Sequence, residues 1–314
     1  LKTSHSPIDI LCVGETLIDF IGQQSTLTLD DTTDFHRYLG GSPTNVAMNS
    51  ARLGLNTALV ASVGNDSFGN YIIDRLNEIE INISNVKRLE NIPTSIIFVS
   101  RSADTPDFIP YREADSFITE DQLPSKLLSN LKIFHTTCFA LSKNPARATI
   151  LAKAEEAYNL GSKLSIDINY SEKIWRETDD AIEVIKHYCR FNPLVKISED
   201  DMERLFQASM THEQMFRFFH ENGVDIVCLT LGKNGVKLSN KNGALIILPA
   251  IKINKIVDAT GAGDAFWSGF LFAYSKEKSL TESLDIALKL AALKLQNVGR
   301  LPDNITILSE ILKK

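Results

Sequence analysis

Short apolar, β-branched runs alternate with longer amphipathic ones along most of the chain. IDILCVG (8–14), TALVASVG (57–64), LKIFHTTC (131–138), KLSIDIN (163–169), LVKIS (194–198) and VDIVCLTLG (224–232) are apolar at nearly every position. That is the pattern of strands covered on both faces, not one. PTNVAMNSARLG (43–54), SFGNYIIDRLNEIE (67–80), PARATILAKAEEAYNLG (145–161) and THEQMFRFFHENG (211–223) read as helices. The first opens with Pro and several close at Gly, which suit helix starts and stops respectively. Strand, helix, strand in repeated order predicts an α/β fold: a mainly parallel central sheet with helices on both faces, joined by right-handed crossovers.

Two segments break the rhythm. Residues 15–38 (with DFIGQQSTLTLDDTTDFHRY) and 92–112 (IPTSIIFVSRSADTPDFIPYR) read as hairpin-like strands with polar tips. Each leaves a core strand and returns to a helix. The two could pair as a small β-sheet lid over the C-terminal edge of the main sheet, where open α/β folds take ligands. The plain alternative is an edge hairpin without function. No internal repeat, low-complexity tract or interdomain linker interrupts the chain, so residues 1–314 are expected to form one domain carrying both insertions.

Composition narrows the functional classes. The 314 residues are 44% hydrophobic and 23% charged, the balance of a folded globular protein. A formal net charge of -6 argues against a nucleic-acid surface, which needs clustered Lys and Arg. Cys12, Cys138, Cys189 and Cys228 show no CxxC spacing and three lie in apolar runs. They read as buried free thiols in a reducing compartment. The six His are scattered without zinc-ligand spacing. No apolar run reaches the ~20 residues that span a bilayer, and the start LKTSHSP does not read as a signal peptide. The cytoplasm is the expected location, with no membrane or nucleic-acid partner.

The chemistry concentrates in KIVDATGAGDAFWSGFLFAY (255–274). Turn residues give way to helical apolar spacing, which predicts a helix from near Gly263 with Gly261, Ala262, Gly263 and Asp264 at its first turn. The first N–H groups of a helix lack intrahelical partners, and small residues let an anion reach them. A carboxylate beside that anion opposes resting binding unless it has a task. Accepting the proton of an incoming hydroxyl is such a task, and the pair then defines a phosphoryl-transfer site. Alone, Asp264 is equally well an ordinary first-turn acid facing the helix dipole.

The stretch DATGAGD resembles the signature of the PfkB (ribokinase-like) family of carbohydrate kinases, in which D-x-x-G-A-G-D opens the catalytic helix. YLGGSPTNVAMNSARLG (38–54) resembles the same family's N-terminal signature, a Gly pair followed by an Asn in a helical first turn. Gly40 and Gly41 let backbone groups approach a polyol, and Asn45 offers a donor and an acceptor. CVGETLIDF resembles the family's first strand, whose final acid, here Asp19, holds sugar hydroxyls. SVGNDSFG (62–69), DINYSEKIW (167–175) and LTLGKNGVKL (229–238) extend the likeness over nearly the whole chain. In the last, Thr230, Gly232 and Gly235 are implied to line the nucleotide; unaided, they read as a strand, a turn and a strand.

The resemblance implies transfer of the γ-phosphoryl group of MgATP to a primary hydroxyl of a small sugar, with Asp264 as base. Departures bear on that reading. Where the family has N-x-x-E for water-mediated Mg²⁺ and phosphate contacts, SEDD places Ser198 and Asp201. Ser171 stands where many relatives carry Arg, which counts against an acidic sugar. Arg112 resembles a lid-proximal Arg of the fructokinase-like and ketodeoxygluconate kinase-like branches, its alternative being a surface salt bridge. A monovalent cation, K⁺, is implied at Asp258 with carbonyls nearby and in the loop NVGRLPD (297–303), whose Asn297 is assigned to the nucleotide side. GGSPTNVA looks most like the fructokinase and 5-dehydro-2-deoxygluconokinase branches, so fructose is the expected sugar. 2-Keto-3-deoxygluconate kinase and ribokinase stay open, as does a nucleoside kinase with SIIFVS (95–100) facing a base. From another class, a non-catalytic sugar- or nucleotide-binding regulator stays open. Relatives dimerise through the lid, which implies a homodimer.

Overall fold

A computed structural model describes residues 7–26, 28–101, 107–206, 210–297 and 301. The predicted strands fall where the apolar runs lie: β1 is Ile8–Val13, β4 Thr57–Gly64, β8 Leu131–Thr137, β9 Lys163–Ile168, β10 Leu194–Ser198 and β11 Ile226–Thr230. Between β1 and β4 lie β2 (Leu17–Ser25) and β3 (Phe35–Gly40), and between β4 and β8 lie β5 (Ile81–Leu89), β6 (Ile96–Arg101) and β7 (Phe108–Tyr111). β12 (Val236–Asn240) and β13 (Leu245–Leu248) complete the strands of the described residues.

The large sheet runs in the order β13-β12-β11-β10-β9-β8-β1-β4-β5. It is parallel from β5 to β11, and β12 and β13 join antiparallel at one edge. Alternate residues of β1 enter different cores, Leu11 and Val13 on one face and Ile10 and Cys12 on the other. Both faces of the strand are therefore dry, as its unbroken apolar pattern requires. All four cysteines are buried and free, and burial pushes the Cys12 thiol up, away from reactivity.

Helices cover both faces. They are α1 (Ser42–Arg52), α2 (Ser67–Asn77), the single turn α3 (Ser125–Leu128), α4 (Ala146–Asn159), α5 (Thr178–Cys189), α6 (Glu199–Phe206), α7 (His212–Glu221), α8 (Ala262–Ser275) and α9 (Leu280–Leu295). Four of these, α3, α5, α6 and α9, and the strands β5 and β13 are not among the elements expected from the sequence pattern. Among the described residues no helix is long and apolar enough to cross a membrane.

The two insertions form a separate small sheet, ordered β3-β2-β6-β7. β2 and β3 make one antiparallel hairpin, β6 and β7 the other, and β2 joins β6 in parallel, with Asp19 opposite Ile97. Residues 102–106, between β6 and β7, lie outside the described residues. The chain enters the small sheet from the C-terminal end of β1 and again after β5, so it is rooted at the edge of the large sheet from which α1 and α8 also start. GNDSFG braces that root. Asp66 accepts the Gly69 N–H (2.8 Å) at the start of α2, and also the Thr94 N–H (2.8 Å) and hydroxyl (2.7 Å) ahead of β6.

Candidate active site

Two helix starts meet at one carboxylate. α8 begins one residue before the expected Gly263, with Gly261 at φ +74° turning the chain into it. Asp264, in its first turn, accepts the Ser42 hydroxyl on one oxygen (2.6 Å) and the Asn45 amide on the other (2.8 Å). Ser42 and Asn45 belong to the first turn of α1. Gly41 enters that helix at φ +102°, where a Cβ would stand 2.3 Å from the Glu15 carbonyl oxygen. In the stretch GAG, the Ala262 N–H turns back to the Ala259 carbonyl (3.1 Å). The Gly263 and Asp264 amides stand at the open first turn, the donors of a helix start that lack intrahelical acceptors.

Beside Asp264 opens a cavity of about 260 Å³ lined by Asp19, Asn45, Asp258, Thr260, Gly261 and Lys294, among others. Asp19 reaches it from β2. Burial pushes the Asp19 carboxyl up to about 7, and the negative charge of Asp264 adds to the shift. Gly40 makes room for Asp19, since a Cβ there would lie 2.1 Å from an Asp19 oxygen. The Gly pair is thus a packing requirement at both positions, one for a strand acid and one for a helix entry. Tyr71 and Arg75 of α2 line the same cavity, and the Arg37 guanidinium lies 3.8 Å over the Tyr71 ring.

Two ammonium groups flank the anion turn, and the sequence pattern revealed neither role. Lys196, buried in β10, donates to both Asp167 oxygens (2.9 and 2.8 Å), and its Nζ would stand 3.0 Å from a Cβ at Gly263. Burial opposes its charge, but Asp167 and Asp201 outweigh burial and hold the ammonium above its ordinary value. A lysine inside an otherwise apolar strand, LVKIS, was the available signal, because a buried charge requires a partner. Lys294 of α9 donates to Asp258 (3.1 Å) and to the Asn297 carbonyl (3.2 Å). The other Asp258 oxygen accepts the Thr260 N–H (3.0 Å). The Asn297 side chain donates to the Leu293 carbonyl at the end of α9 (2.7 Å). The rest of the loop NVGRLPD, apart from Leu301, lies outside the described residues.

The expected nucleotide residues do not line this cavity. Ser198 and Thr230 are register partners at the ends of β10 and β11. Ser198 starts α6, taking the Asp201 N–H (3.0 Å) on its hydroxyl oxygen and donating to the Asp201 carboxylate (2.5 Å). The second Asp201 oxygen accepts from Arg204 (3.0 Å). Gly232 and Gly235, at φ +52° and +96°, form the turn between β11 and β12, closed by the Leu231 N–H to the Gly235 carbonyl (2.8 Å).

Arg112 directly follows β7 of the small sheet, the lid-proximal place expected, and is buried rather than part of a surface salt bridge. Its buried guanidinium pairs with Asp115 (2.5 Å), donates to Ser142 (2.5 Å) and lies 3.9 Å over the Phe139 ring. Nearby, Glu15 receives the Ser42 N–H (3.2 Å) and the Thr137 hydroxyl (2.9 Å). Burial raises its carboxyl to about 8. Glu15 therefore braces the start of α1 from below, a role the sequence did not disclose.

The family model for pfkB family carbohydrate kinases matches residues 7–306. The ATP-dependent 6-phosphofructokinase of Thermoanaerobacterium thermosaccharolyticum is 38% identical over 304 residues, 96% of this chain and 93% of that protein. The fructokinase structure of Halothermothrix orenii superposes with a TM-score of 0.80 at 35% identity, covering 90% of this chain and 98% of that one. A sugar kinase of Pyrococcus horikoshii solved in complex with ATP superposes with a TM-score of 0.81 at 28% identity, covering 92% and 93%. The fold is the ribokinase-like one and the class is phosphotransferase. The chain belongs to the pfkB family of carbohydrate kinases and acts on a sugar.

Proposed function

We propose that the protein is an ATP-dependent fructokinase, with Asp264 as the base that receives the proton of a primary sugar hydroxyl. The observation that carries this is the fixing of Asp264 by Ser42 and Asn45 where two helix starts meet, at the mouth of the cavity holding Asp19. The hydroxyl proton passes to Asp264 as the oxygen bonds to the γ-phosphorus. The bond to the bridging oxygen breaks in the same displacement, and ADP leaves. The Gly263 amide, the Gly261 to Ala262 turn and the α8 dipole stabilise the charge on the transferring group. Asp19, Asn45 and the backbone at Gly40 and Gly41 hold the sugar. The ATP-bound relative supports the donor, and the fructokinase relative supports the acceptor.

The nucleotide is assigned to the strand ends carrying Ser198, Thr230, Gly232 and Gly235, with Asn297 at the adjoining loop. Mg²⁺ supplies charge neutralisation on the phosphates when bound. Among the described residues no three His, Cys, Asp or Glu side chains converge on a metal position. Each Asp201 oxygen is already engaged by a donor, which suits contact through water. The small sheet acts as a lid that excludes water from the phosphoryl group. The whole chain works as one domain in the cytoplasm, which the free buried thiols support. It forms a homodimer through the lid, supported by Ile109 and Tyr111 of β7, 44% and 57% exposed. Arg112 serves the substrate side from the root of the lid, where Asp115 and Ser142 hold its guanidinium.

A second reading rests on Arg75. Arg75 lines the Asp19 cavity with its guanidinium paired to Glu78 (3.1 Å), a cation that suits a sugar already bearing a phosphate, and the relative from Thermoanaerobacterium thermosaccharolyticum is named a 6-phosphofructokinase. ADP release should be measured with MgATP and fructose, fructose 6-phosphate, ribose, 2-keto-3-deoxygluconate, 5-dehydro-2-deoxygluconate or adenosine. Preferred turnover of fructose supports the first reading. Preference for fructose 6-phosphate supports the second, and absence of release with every acceptor leaves a binding regulator.

A further inference from the structure

The resemblance to kinases with a monovalent-cation site implied a K⁺ ion at Asp258 with backbone carbonyls nearby and in the loop 297–303; among the described residues, the groups at Asp258 do not fit one. A K⁺ site needs several oxygen atoms free to converge on it. Here one Asp258 oxygen accepts the Thr260 N–H, while the other and the Asn297 carbonyl converge on the Lys294 ammonium at 3.1 and 3.2 Å. The Lys294 side chain is 4% exposed, and its Cε would stand 3.8 Å from a Cβ at Gly261. A second cation among these oxygens would sit against a like charge with little water between them.

We propose that Lys294 is a built-in substitute for the diffusible cation, a positioning residue whose ammonium holds the Asp258 to Gly261 turn in place. The turn is fastened to the end of α9 by backbone and by side chain. The Val257 N–H donates to the Leu295 carbonyl (2.8 Å), and one helical position away Lys294 grips Asp258. Asp258 in turn fixes the Thr260 N–H, next to the glycine that enters α8. Because the counter-charge is covalently part of the chain, the phosphate-receiving turn is ordered at any K⁺ concentration. This rests on the reading of that turn as the phosphate site.

The test compares initial rates and melting temperatures in KCl, NaCl and tetramethylammonium chloride at equal ionic strength. For the unmodified protein, rates should agree within about two-fold and melting should not shift with the cation, since an ion that does not bind cannot stabilise. Lys294→Met should lose at least about ten-fold in kcat in tetramethylammonium, and KCl should restore rate and raise the melting temperature by filling the vacated seat. Ten-fold activation of the unmodified protein by K⁺ would overturn the inference. So would a Lys294→Met protein as fast as the parent in tetramethylammonium, or a slow one that K⁺ does not help. The unmodified protein decides the matter even if the variant does not fold. Should Asp264→Asn retain full turnover, the phosphate-site reading fails instead, whatever the cations do.

Discussion

The proposed sugar side and the proposed nucleotide side of the cleft are held by different kinds of contact. On the sugar side, Asp264 is fixed by Ser42 and Asn45, which lie 222 and 219 residues away in the chain. Asp19 comes from a different sheet altogether, and Gly40 of the neighbouring strand leaves the space for it. On the proposed nucleotide side, Ser198 pairs with Asp201 and Asp201 with Arg204, each three residues on, and Gly235 closes a turn on Leu231. The first arrangement exists only once the tertiary structure has formed. The second is built mainly from contacts three residues apart, which form with their own element.

That difference can be broken most sharply at Asp264. Asp264→Asn should keep the fold and the binding of both substrates but lower kcat by about 10³-fold, the range for loss of a positioned base. Steady-state kinetics with calorimetric binding would check it, and a kcat within a few-fold of the parent would remove the assignment.

Next is the titration of Asp19. A carboxyl raised to about 7 is protonated below that pH and accepts fewer sugar hydroxyls there. Sugar affinity should therefore fall about ten-fold per pH unit as pH drops below 7, and level off above it. Asp19→Asn should bind weakly and show a flat profile. A parent profile that is itself flat from pH 6 to 8 would mean that Asp19 does not grip the acceptor.

The smallest effect belongs to the nucleotide side. Ser198→Ala removes the hydroxyl that receives the Asp201 N–H at the start of α6, so it should cost about 1 kcal/mol of stability. The KM for ATP should move only a few-fold. Denaturant melting and ATP kinetics would check both, and a loss of turnover comparable to that of Asp264→Asn would erase the contrast between the two sides.

Much of the fold was legible because its signals are local. Doubly buried strands keep their apolar runs, and the insertion hairpins announced themselves by polar tips between β-branched residues. α9 escaped although Ser279 and Glu282 form a capping box at its start, a signal lying in plain view. β5 escaped because INISNVKRL mixes polar and apolar positions, as an edge strand does. The site was legible where one segment carries it, in GAGD and in the Gly pair. It was not legible where chemistry depends on what lies underneath. Lys196, Lys294 and Glu15 are ordinary letters in the sequence, and only folding buries them against Asp167, Asp258 and the start of α1. Arg112, expected near the lid, also acquires a buried partner, Asp115, that the pattern did not announce.

α8 carries Asp264 in its first turn and then plunges into the interior. Trp267 is fully buried, donates its indole N–H to Ser165 (3.0 Å) and stacks on Phe270 with ring centres 4.9 Å apart. The proposed reactive end of this rod and its anchor are fewer than two turns apart. Turnover and structural endurance are therefore inseparable properties here: whatever loosens the anchor blunts the tip.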